Sequence, residues 1–145
     1  MTNPSFKLTI LVDDNDIDLF VQKRLLELNH FASQILTYQS PVDALNFLRT
    51  TDEVPEVIFL DLNMPILDGY EFLDEMMQLP AEKLAKVQVI ILTSSSSMAD
   101  REKTMNYPVV VDFISKPLSQ SNLQQLKSRY AGNGKLAAAA KGTNP

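Results

Sequence analysis

The sequence predicts one α/β domain: a parallel sheet covered by helices on both faces. Three observations carry this. The chain has 145 residues, which suits a single domain. Four short runs rich in β-branched residues, Leu8–Val12, Val57–Leu60, Val87–Leu92 and Val109–Ile114, are mostly unbroken rather than alternating. Strands buried on both faces read this way. Helical patterns fill the gaps, so strands and helices alternate along the chain.

The elements follow in order. After the first strand, residues 16–29 place Ile17, Val21, Leu25 and Leu28 on one helix face, with Asn15 or Asp16 as cap. Ile35–Tyr38 is a weaker strand signal. Ser40-Pro41 opens a second helix as N-cap and first-turn proline, with Ala44, Leu45 and Leu48 inward. A third helix runs from about Gly69 to Leu79, burying Phe72, Leu73 and Met76, and stops before Pro80. Ser97 caps a fourth, roughly 98–106, whose apolar face is thin, mainly Ala99 and Met105. Ser119 caps a fifth, with Leu123, Leu126 and Tyr130 on one face. A βα unit repeated five times with right-handed crossovers gives a doubly wound, flavodoxin-like sheet of order 2-1-3-4-5. Functional residues are then expected at the carboxyl ends of the first and third strands, beside the switch point.

Composition narrows the function. The chain has no cysteine, which excludes disulfide scaffolds and thiolate zinc sites. Its net charge is −5, and residues 1–131 hold 18 acidic against 11 basic residues. Such a domain has no electrostatic footprint for nucleic acid or an anionic membrane. No apolar stretch approaches the ~20 residues needed to span a bilayer, and the N-terminus carries no signal segment. Gly69 is the only glycine before residue 132, so neither glycine-rich nucleotide loop can be written. His30 is the sole histidine, which removes most histidine-dependent catalysis.

Each strand is followed by a residue capable of chemistry: Asp13-Asp14 after the first, Asp61 after the third, Thr93 after the fourth, Lys116-Pro117 after the fifth. Alone, each reads as a cap, a turn or a solvated charge. Together they converge on one crevice in the expected fold. Three carboxylates and one lysine leave that crevice at about −2, and crowded like charges resist joint ionisation unless a cation enters. All-oxygen ligands and an open, watered site suit Mg²⁺ best.

Four motifs make the sequence resemble the receiver domain of two-component response regulators. They are Leu11-Val12-Asp13-Asp14-Asn15, Asp61-Leu62-Asn63-Met64-Pro65 with Asp68-Gly69, Thr93-Ser94, and Lys116-Pro117-Leu118, and the match spans about residues 6–130. The resemblance implies that Asp61 accepts a phosphoryl group from a phosphohistidine on a sensor histidine kinase or a histidine phosphotransfer protein. It implies Mg²⁺ ligation by Asp14 and Asp61, by Asp13 through a water, and by the backbone carbonyl of Asn63, whose side chain would be free to vary. Lys116 and Thr93 would contact the phosphoryl oxygens. Thr93 and Phe113 would form the switch, and the Lys116–Pro117 bond would be cis. Phosphoryl transfer needs in-line positioning and charge neutralisation more than covalent chemistry from the acceptor site, which this set supplies.

The expected unit is residues 1–131, followed by a disordered tail, 132–145. Its Lys135-Leu136-Ala137-Ala138-Ala139 run fits either a vector remnant or native sequence. A cytoplasmic, stand-alone module, monomeric or weakly dimeric, would signal by protein contact through the fourth helix, fifth strand and fifth helix. It would lose its phosphoryl group by hydrolysis rather than act as an enzyme on other substrates. Two alternatives are a receiver cut from a longer regulator and an Mg²⁺-dependent aspartyl phosphohydrolase. The second places an aspartate two residues after the nucleophile, where this chain has Asn63.

Overall fold

The computed structural model describes residues 3–131. Five strands, β1 (Phe6–Val12), β2 (Ala32–Tyr38), β3 (Val57–Leu60), β4 (Gln88–Thr93) and β5 (Val110–Ser115), form one parallel sheet in the order β2-β1-β3-β4-β5. The helices are α1 (Asp16–Leu28), α2 (Pro41–Thr50), α3 (Gly69–Met76), α4 (Ala81–Leu84), α5 (Met98–Met105) and α6 (Gln120–Tyr130). The single turn α4 was not expected, so the fourth and fifth predicted helices are α5 and α6. The expected tail lies outside the described residues.

Alternate strand residues feed two cores. Ile10, Val12, Ile58, Leu60, Val89 and Ile91 pack with Ala44, Leu45 and Leu48 of α2 and Phe72, Leu73 and Met76 of α3. Leu11, Phe59, Ile90 and Leu92 pack with Leu19 and Leu26 of α1 and Leu123, Leu126 and Tyr130 of α6. Both sheet faces are covered, which is why the strand runs are unbroken. The expected caps are present: Asn15, Ser40, Ser97 and Ser119 each accept a backbone N–H of the first turn.

Two faces differ from expectation. On α1 the buried residues are Leu19, Gln22 and Leu26, while Ile17, Val21 and Leu28 are 69%, 59% and 61% exposed. Leu25 is half-buried. The inward stripe contains a glutamine because Gln22 reaches Asp13, Nε2 to Oδ2, at 3.5 Å. On α5, Ala99 is exposed and Thr104 is the buried residue. Burial is tolerable because the Thr104 hydroxyl donates to the Asp100 carbonyl at 2.8 Å.

Candidate functional site

The sheet's hydrogen-bond ladder runs on into the site residues. Asp13 N–H donates to Tyr38 O at 3.1 Å, Asp61 N–H to Val12 O at 3.1 Å, and Lys116 N–H to Thr93 O at 2.8 Å. These bonds fix three functional side chains at the carboxyl edge where the strand order reverses. The Lys116–Pro117 bond is cis.

Carboxylate oxygens of Asp13, Asp14 and Asp61 lie within 4.8 Å of one another. Asp13 and Asp61 are buried and Asp14 is exposed. One oxygen of Asp13 accepts from Asn15 N–H at 3.0 Å, and one of Asp61 accepts from Asn63 N–H at 3.2 Å. Lys116 reaches over this group. Its Nζ donates to Asp13 Oδ2 at 2.7 Å, to Asp18 Oδ2 at 2.9 Å and to Asp61 Oδ2 at 3.2 Å. Burial pulls the ammonium towards its neutral form, but the hydrogen bonds to Asp13 and Asp18 and the Asp61 charge outweigh it, so Lys116 stays protonated well beyond the ordinary range. Burial also lifts the Asp13 carboxyl above the usual carboxylate range, against the lowering pull of the Lys116 and Asn15 hydrogen bonds. Three clustered carboxylates with oxygen-only donors fit a small divalent cation.

Thr93 is fully buried, and its hydroxyl oxygen accepts from Asn63 Nδ2 and from Ser95 N–H, both at 3.3 Å. The Asn63 side chain is therefore engaged with Thr93. Phe113 is 7% exposed, packed in the α2–α3 core, with the Arg101 guanidinium 5.8 Å from its ring centroid. The ring is already inward. Beyond Thr93, Ser95 Oγ donates to Asp100 Oδ2 at 2.7 Å, and the other Asp100 oxygen accepts from the Tyr70 hydroxyl. These bonds tie α5 to α3 and to the β4–α5 loop.

Two participants were not foreseen: Asp18, on Lys116, and Gln22, on Asp13. A usable signal exists for both. Asp18 and Gln22 are spaced by four, which places them on one edge of α1.

A family model described as the response regulator receiver domain matches residues 9–127. The sensor histidine kinase GacS of Pseudomonas protegens is 25% identical over 123 residues; the match covers 85% of this chain but only 13% of that kinase. A two-component response regulator from Cytophaga hutchinsonii superposes with a TM-score of 0.77 at 28% identity, covering 85% of this chain and 95% of the other. The receiver domain of the sensor histidine kinase PA1611 of Pseudomonas aeruginosa, with a magnesium ion in its active-site cleft, gives 0.71 at 22% identity, covering 88% and 98%. With a parallel 2-1-3-4-5 sheet, an acidic cluster at its switch point and a family match over most of its length, this chain belongs to the response regulator receiver domains.

Proposed function

We propose that Asp61 accepts a phosphoryl group from a phosphohistidine of a sensor histidine kinase or histidine phosphotransfer protein. The observation carrying this is the position of the Asp61 carboxylate, buried at the switch point, 3.2 Å from a Lys116 ammonium and clustered with two further aspartates. In the transfer, an Asp61 oxygen attacks phosphorus, the P–N bond breaks, and the imidazole leaves with the electron pair and takes a proton. Lys116 holds positive charge beside the transferred oxygens, and Thr93 offers them a hydroxyl. Asp13, Asp14 and Asp61, with the Asn63 carbonyl, would hold Mg²⁺, which when bound neutralises charge on the phosphoryl oxygens. Water then cleaves the acyl phosphate, so the signal erases itself.

The donor's approach is supported by α1. Ile17, Phe20 and Val21 are 69%, 72% and 59% exposed just beyond Asp14, and Ile66, 94% exposed, stands on the β3–α3 loop. A groove of about 130 Å³ between Val21, Leu25, Pro117 and Leu118 ends at Lys116. A helical donor carrying its histidine to Asp61 would cover this apolar surface. Output is assigned to the α5–β5–α6 face, with Thr93 and Phe113 as the switch. The functional unit is residues 1–131, a cytoplasmic module, monomeric or weakly dimeric. The phosphohydrolase alternative lacks support: Asn63 stands where its acid would be and bonds Thr93.

The test is incubation with Mg²⁺ and acetyl phosphate followed by intact-mass measurement. A single phosphoryl adduct is expected, dependent on Mg²⁺ and absent in Asp61→Asn. An adduct that persists in Asp61→Asn sinks the assignment.

A further inference from the structure

We propose that Asp18 is a positioning residue that holds the Lys116 ammonium in the resting state and gives it up to the phosphoryl group. This rests on the reading of Asp61 as phosphoacceptor.

An ammonium has three N–H donors and no acceptor. All three donors of Lys116 are spent, on Asp13, Asp18 and Asp61. A phosphoryl oxygen can be met only if one of these bonds is surrendered. The three are not equal. Asp61 is the acceptor itself and stays at the centre of the reaction. The Asp13 side chain is 3% exposed, so losing Lys116 would strand a carboxylate in the interior. The Asp18 side chain is 41% exposed and returns to water at small cost. Asp18 is therefore the partner released.

Local structure makes Asp18 suited to this. It sits in the first turn of α1, and its own N–H donates to the Asn15 cap at 3.0 Å. The carboxylate is thus presented from a capped helix terminus rather than a loose loop. Its charge also adds to the crevice. Asp13, Asp14, Asp18 and Asp61 against Lys116 give about −3, so Asp18 opposes an incoming dianion twice, by occupying Lys116 and by repulsion.

The consequence is a site biased towards release. Removing the Asp18 charge should free Lys116 and tighten binding of a phosphoryl mimic. Asp16 lies in the same first turn but is not among the carboxylates on Lys116, so it reports the effect of charge alone.

The experiment uses the whole chain at saturating Mg²⁺, set separately for each variant, with beryllofluoride as the mimic. Affinity is read from backbone amide NMR shifts, and the Lys116 ammonium is followed by its own nitrogen-15 resonance. Asp18→Asn should bind the mimic about three- to fivefold more tightly, the upper end of the scale of a partly exposed charge pair. Asp16→Asn should stay within about twofold, and Asp18→Glu should return towards the parent value. The Lys116 resonance should differ between parent and Asp18→Asn in the free proteins and coincide in the bound ones. Unchanged or weaker binding in Asp18→Asn overturns the proposal, as does an equal gain in Asp16→Asn or a Lys116 signal that still differs when bound. Asp61→Asn separates the two claims: if it still binds the mimic, the phosphoacceptor reading fails, whereas a silent Asp61→Asn beside an unaltered Asp18→Asn removes only the tether.

Discussion

Gly69→Ala tests how tightly the acceptor loop is built. Gly69 opens α3, is buried, and donates its N–H to Leu62 O at 2.9 Å. A β-carbon there would stand 2.6 Å from Leu62 Cα, 2.8 Å from Asp61 O and 2.8 Å from Leu62 Cδ2. Two of these neighbours are backbone and cannot rotate away. Restoring ordinary carbon contacts of about 3.5 Å requires a shift of roughly 0.9 Å between α3 and the residues carrying the acceptor. Overpacking of this kind costs about 1–3 kcal/mol. The helix gains about 0.5–1 kcal/mol from replacing glycine. The net is a loss of about 1–2 kcal/mol. At ~2.1 cal/mol/K per residue over a domain of about 130 residues, the melting temperature should fall by about 4–7 °C. Because the Asp61 carbonyl is one of the atoms displaced, the acceptor moves too, and the initial rate of phosphorylation should fall by at least about tenfold. Thermal unfolding and the mass assay with acetyl phosphate give both numbers. A variant as stable as the parent would show that the loop yields freely and that the close approach is not a constraint.

The tyrosines and the switch give two further tests. All four tyrosines are held above their ordinary value, first by burial, and Tyr107 and Tyr130 are pushed up to about 12. A raised folded value means their contribution to stability is complete below about pH 10 and is lost as pH rises towards 12; most of the native tyrosinate absorbance should therefore develop well above pH 10, and ionisation of all four together at 10 would refute this. Beryllofluoride should shift amide signals in α5 and around Phe113 in the parent but not in Thr93→Ala, because the Thr93 hydroxyl is the link from the site to Ser95 and Asp100; equal shifts in both proteins would break that link.

Four strands were legible because they are buried on both faces, which leaves a hydrophobic run that no helix period explains, whereas β2 at the sheet edge has no buried residue and gave the weak signal. The convergence of Asp13, Asp61, Thr93 and Lys116 was legible because strand ends place residues without further packing information. The face of α1 was not. Its inward stripe contains Gln22, drawn inside by Asp13, while Ile17, Val21 and Leu28 face outward. A polar residue on the inward stripe and three apolar ones on the outward face run against the usual pattern, so the apolar period pointed the wrong way. Asp18 was missed for a related reason: an acidic first turn reads as a response to the helix dipole, and only the reach of Lys116 shows otherwise. The α4 turn is four residues long, too short for periodicity to register. Thr104 replaced Ala99 as the buried residue of α5 because a hydroxyl can bond to the preceding turn.

The ladder bonds that end on Asp13, Asp61 and Lys116 have a consequence for how the molecule opens. Those amides continue the ladder past the strand ends, and the Asp61 amide, bonded to β1 at the centre of the sheet, should exchange with solvent only when the whole domain unfolds. The α5 amides are different, since that helix buries a single residue and is held to α3 by side-chain bonds. Local fluctuation can therefore loosen α5 while Asp61 keeps its place on the sheet.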